Sequence, residues 1–131
     1  MNKRIAILWV TIIFMFVIAG CNSNKSSVSR EWSTSNPTAE DVLSDNSNAN
    51  IFMFSDIIYN TGIPWVDELE LHKDQYVTEI IEQSGDGKEF KNGTANQLSI
   101  GTKIYSVKER SDIYIAETED GDLRFYGLVE G

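Results

Sequence analysis

The chain has 131 residues, 41% hydrophobic and 24% charged, with 11 Lys or Arg against 20 Asp or Glu and a formal charge of −9. That is room for one domain, and nine glycines with two prolines exclude a collagen-like or proline-rich chain, while the hydrophobic fraction excludes disorder throughout. The acid excess argues against a nucleic-acid partner, whose phosphates are held by Lys and Arg, and a single histidine, His72, with a single cysteine, Cys21, leaves most metal and nucleophile constellations without members.

Lys3 and Arg4 precede Ile5 to Ala19, a run in which Thr11 is the only polar side chain. A charged start followed by an apolar stretch is the pattern of an export signal. As a helix the run reaches roughly 22 Å, short of the ~30 Å hydrocarbon core, so a permanent span is disfavoured. Directly behind it stands Ile18-Ala19-Gly20-Cys21. This resembles the lipobox of bacterial lipoproteins, in which a branched aliphatic and two small residues precede the cysteine that takes the diacylglycerol. The resemblance implies cleavage between Gly20 and Cys21, a signal peptide over residues 1–20, and lipidation of Cys21 through fatty acyl chains such as palmitate. Each buried methylene contributes about 0.8 kcal/mol, and two acyl chains give stable attachment where one does not. Loss of Lys3 and Arg4 takes the formal charge from −9 to −11. Anionic lipid head groups repel such a domain.

Residues 22–48 include eight Ser, five Asn and two Thr, with Trp32, Val42 and Leu43 among the few large apolar side chains. So little apolar surface cannot offset an ordering cost of about 1–2 kcal/mol per residue. The expectation is a flexible stalk from the lipidated Cys21 to residue 48 that holds the folded part on the order of 30 Å from the membrane. A transient helical turn at residues 37–43 is the local exception.

Residues 49–131 carry seven Lys or Arg and sixteen Asp or Glu and form the expected folded domain. Ile51-Phe52-Met53-Phe54-Ser55-Asp56-Ile57-Ile58-Tyr59 reads as one central strand, with a bulge or bend where Ser55-Asp56 breaks the alternation. Pro64 suits a first helical position, and Trp65, Val66 and Leu69 recur on one helix face, which predicts a short helix. The same face continues through Tyr76, Val77, Ile80 and Ile81, so residues 65–83 read either as one helix or as a helix followed by a strand at Gln75 to Glu82. The β-branched content of Val77, Thr78, Ile80 and Ile81 selects the strand. A loop rich in Gly and Asn leads to a strand at Lys103 to Lys108. Ile113 to Thr118 and Leu123 to Leu128 then flank Asp120-Gly121, a strong hairpin signal. About five short strands, one short helix and a C-terminal β-meander make an α+β, mainly β domain, with an SH3-like half-open barrel as one form of it.

Together with the lipobox, the segments Trp65-Val66-Asp67-Glu68-Leu69-Glu70-Leu71, Gly101-Thr102-Lys103-Ile104-Tyr105 and Tyr126-Gly127-Leu128-Val129-Glu130-Gly131 resemble small uncharacterised lipoproteins of Gram-positive spore-forming bacteria. The likeness spans most of the chain. It implies a lipid-anchored surface protein and supplies no catalytic residues.

The remaining side chains offer little chemistry. Glu82, Ser84, Asp86 and Gly87 imitate the first half of a calcium loop, but the twelfth position, which needs a bidentate Glu, is Gly93. Glu117, Glu119, Asp120 and Asp122 cluster at the hairpin turn as solvated charges that discourage edge pairing. His72 lacks a second imidazole or thiol with which to hold a metal. Asp67 and Glu70 form a carboxylate pair of the kind glycosidases use, but they need a defined separation and an enclosing cleft. Trp65, Tyr59 and Tyr76 are the candidate binding residues, as rings that could line a groove for peptide or sugar. No catalytic residue, metal or cofactor is assigned. The expected protein is a lipid-anchored, non-enzymatic binding module on the extracytoplasmic face of the cell membrane, held there through Cys21, with an envelope protein or cell-wall component as partner. A wall hydrolase and a cation-binding or structural envelope module are the alternatives.

Overall fold

In the computed structural model, which describes residues 36–130, the apolar run after Asn50 folds as a tight hairpin and not as one bulged strand. Strand β1 (Ile51–Phe54) pairs antiparallel with β2 (Ile57–Asn60), and Phe54 faces Ile57 across a two-residue turn. Ser55 and Asp56 both take positive φ, 50° and 63°, the backbone that matches the twist of paired strands. Neither residue is glycine, so the turn leans on its surroundings: the Asp56 N–H donates to Asn92 Oδ1 at 2.9 Å, and Asn92 Nδ2 donates to Asp56 Oδ1 at 3.3 Å.

After helix α2 (Pro64–Asp67) the chain enters β3 (Lys73–Glu79), a strand as expected but starting two residues before Gln75 and ending before Ile80 and Ile81, then β4 (Glu82–Gln83), a 3-10 turn (Gly87–Glu89) and β5 (Thr94–Ala95). The meander β6 (Lys103–Val107), β7 (Ile113–Thr118) and β8 (Gly121–Gly127) completes the domain. The last turn is set one residue earlier than the Asp120-Gly121 signal: Thr118 pairs with Gly121, leaving Glu119 and Asp120 as the loop. Gly121 opens β8 at φ 120°, which a side chain would resist.

The strands form one curled half-barrel sheet in the order β3-β6-β7-β8-β2-β1-β5-β4. The domain is therefore α+β and mainly β, with eight strands instead of about five and, among the described residues, two helices instead of one. The undercount comes from the split hairpin and from β4 and β5, which have two residues each and are paired in parallel. β3 and β4 stand at opposite ends of this order, yet only Ile80 and Ile81 separate them. The Ile80 N–H donates to Thr102 O beside β6, and the Ile81 N–H to Gly93 O beside β5, so one bent segment serves both ends.

Both faces of the sheet are apolar, as alternation along β8 predicts. Phe52, Tyr59, Ile104, Ala116 and Phe125 pack in the concave interior, with Phe52 stacked on Tyr59 at 5.1 Å and edge-on to Phe125 at 5.0 Å. Their strand neighbours point the other way. Ile51 and Ile58 join Ala39 and Ala49 in a second cluster, and Val107, Ile113 and Ile115 join Val66 in a third. Each buried Ile contributes about 1.5–3 kcal/mol. Helix α2 closes the third cluster and another helix the second.

That other helix, α1 (Ala39–Asp45), corrects the stalk. Part of the span expected to be flexible up to residue 48 is folded onto the domain. Thr38 and Asp41 form a capping box: the Asp41 N–H donates to Thr38 Oγ1 at 3.1 Å and the Thr38 N–H to Asp41 Oδ2 at 3.0 Å. Ala39 is buried, and Val42 and Leu43 pack beside it. The anchor expectations, the signal peptide over 1–20, cleavage at Gly20 and lipidation of Cys21, and the stalk up to residue 35 lie outside the described residues.

Candidate functional site

The strand ends at one rim of the sheet leave a cavity of about 560 Å³. One wall is the β7–β8 turn with Glu117, Glu119 and Asp120; the other is the 97–102 segment between β5 and β6, which includes Leu98; Asn50 and Leu123 complete the lining.

Side-chain hydrogen bonds set both walls. Gln97 Nε2 donates to the carbonyls of Asn48 and Ala49, each at 3.2 Å, and Asn96 Nδ2 to Ala49 O at 2.6 Å. Gln83 Nε2 donates to Gln97 O and Leu98 O at 3.3 and 3.2 Å, and Thr102 Oγ1 to Ser99 O at 2.7 Å. Opposite, the Thr118 hydroxyl donates to Gly121 O and ties off the turn. A cavity with walls already fixed loses less entropy when filled.

Its electrostatics are uneven. Lys73 Nζ lies 3.0 Å from Glu117 and 3.1 Å from Asp122, which together hold its ammonium above the usual lysine range. Glu119 and Asp120 form no ion pair among the described residues. Asn50 Oδ1 is buried and has no hydrogen-bond partner there. An acceptor left in that condition costs about 1–3 kcal/mol. Beside these polar groups lie the buried Leu98, the half-buried Leu123 and Ile100, which is 67% exposed.

The aromatic residues singled out from the sequence do not line a common groove. Tyr59 is 4% exposed and belongs to the core, between Phe52 and Tyr114, where burial pushes its hydroxyl pKa up. Trp65 is 43% exposed on α2, edge-on to Tyr126 at 5.1 Å, with the Arg110 guanidinium 5.2 Å from its ring. Arg110 is held there by Asp112, at 2.8 and 2.7 Å, which lowers the Asp112 pKa. Tyr76 is 54% exposed on β3 and meets Tyr105 at 6.1 Å. No ring contact among the described residues joins Trp65 to Tyr76. The fold uses Tyr59 for packing, which its place in an apolar strand foretold better than its ring chemistry did.

The other candidates have structural roles. The His72 N–H donates to Glu109 Oε1 at 2.8 Å and its Nδ1 lies 3.0 Å from Oε2, which holds the Glu109 pKa low. Asp86 caps the 3-10 turn. Asp67 and Glu70 are exposed and lie outside the cavity. No three His, Cys, Asp or Glu side chains among the described residues converge on a metal position. No described helix is long and apolar enough to cross a membrane. Comparison with known protein families, curated proteins and solved structures finds no match.

Sequence reading passed over the cavity. Its parts come from residues 50, 97–102 and 117–123, and no local pattern links them. The one available signal was the run of acids at a turn beside Leu123.

Proposed function

We propose that the chain is a lipoprotein, anchored through acylated Cys21 to the extracytoplasmic face of the cell membrane, whose domain is a non-enzymatic binding module for an envelope protein or cell-wall component. The observation that carries this reading is Ile18-Ala19-Gly20-Cys21 at the end of a fifteen-residue apolar run, Ile5 to Ala19, with two cations before it. The prearranged rim cavity supports the binding role, because an open site with fixed walls suits recognition of something presented from outside.

Metabolic labelling with palmitate tests the anchor. The native chain incorporates label, and Cys21→Ala abolishes it and leaves uncleaved precursor or shed protein. Continued labelling of that variant would falsify the assignment. For the binding role, cross-linking on intact cells should recover one stoichiometric partner in the envelope. Release of wall fragments by the purified protein would replace binding with hydrolysis.

A further inference from the structure

We infer that Asn92 is a self-modification site, one that deamidates to aspartate and isoaspartate, and that the β1–β2 hairpin keeps it unreacted for as long as the hairpin stays closed. Asn92-Gly93 is the one Asn-Gly pair in the sequence. In such a pair the glycine nitrogen, unhindered by a side chain, loses its proton and attacks Asn92 Cγ. The new C–N bond closes a succinimide ring, and the side-chain nitrogen leaves as ammonia. Water then opens the ring at either carbonyl, leaving Asp, or isoAsp with a backbone longer by a methylene. Asn92 is exposed, so water reaches it.

Both reacting groups are engaged in the fold. The Gly93 N–H donates to Met53 O at 2.7 Å. The carboxamide is held at both ends, Oδ1 by the Asp56 N–H at 2.9 Å and Nδ2 by Asp56 Oδ1 at 3.3 Å. Ring closure needs the nitrogen free of its acceptor and the carboxamide turned onto it. Met53 lies in β1 and Asp56 in the turn behind it, so the hairpin supplies every one of these restraints.

Each half of the reactive pair is also required by the fold. Gly93 has φ 94°, and a Cβ there would lie 2.6 Å from Ile81 Cγ1. Asn92 supports the positive φ of Asp56 with both atoms of its amide. The product undoes that support. A carboxylate at residue 92 accepts only, cannot donate to Asp56, and sets two acids face to face. The longer isoAsp backbone displaces Gly93 as well, whose carbonyl accepts from the Ile81 and Glu82 N–H groups at 2.9 and 3.3 Å. Modification that follows one opening of the hairpin therefore keeps it from closing.

The test follows the peptide containing Asn92 by mass spectrometry as full-length protein stands in detergent micelles at mildly alkaline pH, with and without denaturing urea. Unfolding should speed deamidation by about tenfold or more, because local opening limits the folded rate. Asp56→Ala removes one restraint and strains the turn, and should speed the folded reaction about fivefold. Thr38→Ala, which loosens α1 elsewhere, should leave the rate at Asn92 unchanged. Asn92→Asp, standing for the product, should lower the melting temperature by about 4 °C. Adding Asp56→Asn to it restores one amide facing one carboxylate and should recover most of that loss.

Equal rates in the folded and unfolded chain, or no change with Asp56→Ala, would overturn the protection. Equal acceleration by Thr38→Ala would overturn the assignment of that protection to the hairpin. An unmoved melting temperature in Asn92→Asp, or no recovery in the exchanged pair, would overturn the consequence drawn for the product. None of these outcomes bears on acylation at Cys21, which the labelling experiment decides separately.

Discussion

Helices α1 and α2 cover two parts of the convex face and are held in opposite ways. The seven residues of α1 have a reciprocal cap at their start and rest on backbone: a Cβ built on Gly87 would lie 2.6 Å from Glu40 N and Cα. The four residues of α2 have Pro64 at the start and no side-chain cap, and their carbonyls are gathered from across the sheet by Arg124. Its Nη1 donates to Val66 O at 2.9 Å, to Asp67 O at 3.3 Å and to Leu69 O. Neither length is stable alone in water. Each helix exists because of what it sits on, in one case a close approach permitted by an absent side chain and in the other a long cation reaching over.

The sharpest way to break this comparison is Gly87→Val. Its branched side chain meets backbone that cannot turn aside, so α1 must lift, at a cost of about 3 kcal/mol in urea unfolding. Hydrogen exchange should quicken across residues 39–49 while residues 63–71 keep their protection. If both stretches loosen together, the two faces are not independent. Arg124→Met should do the reverse, loosening residues 63–71 and costing about 2 kcal/mol, because three carbonyls lose a charged donor. Thr38→Ala removes one half of the capping box and should cost about 1 kcal/mol, read as a lower urea midpoint with exchange faster at α1 only.

The smallest effect is one of pH. Backbone and hydroxyl hydrogen bonds from Thr38 lower the Asp41 pKa from its ordinary value. A lowered carboxylate contributes its stability above the unfolded pKa, near 4, and loses it as pH falls from there through the folded value. Exchange at α1 should therefore quicken below about pH 4 before α2 responds, and Asp41→Asn should remove that difference.

The same contrast explains how much of the fold could be read in advance. Pro64 with Trp65, Val66 and Leu69 announces α2 in local terms, and the alternation of β7 and β8 announces a hairpin. α1 shows in the sequence only as a transient turn at residues 37–43, because the partners that hold it, Ile51, Ile58 and Gly87, are remote in sequence. Composition measures what a segment can bury by itself and is blind to a face waiting elsewhere. Ser55-Asp56 misleads for a related reason: positive φ at both positions is bought by Asn92, so the usual Asn-Gly or Asp-Gly signature is missing. At the cavity, Glu119 and Asp120 stand out as charges on a turn. Asn50 does not, because an unsatisfied acceptor is a property of its neighbours and not of the residue.

The place of β8 has a consequence for how the molecule is made. It is the last of the eight strands to be synthesised, yet it lies between β7 and β2, so without it the strand order falls into two separate pieces. Pairing of β8 with both neighbours is therefore what makes the sheet continuous.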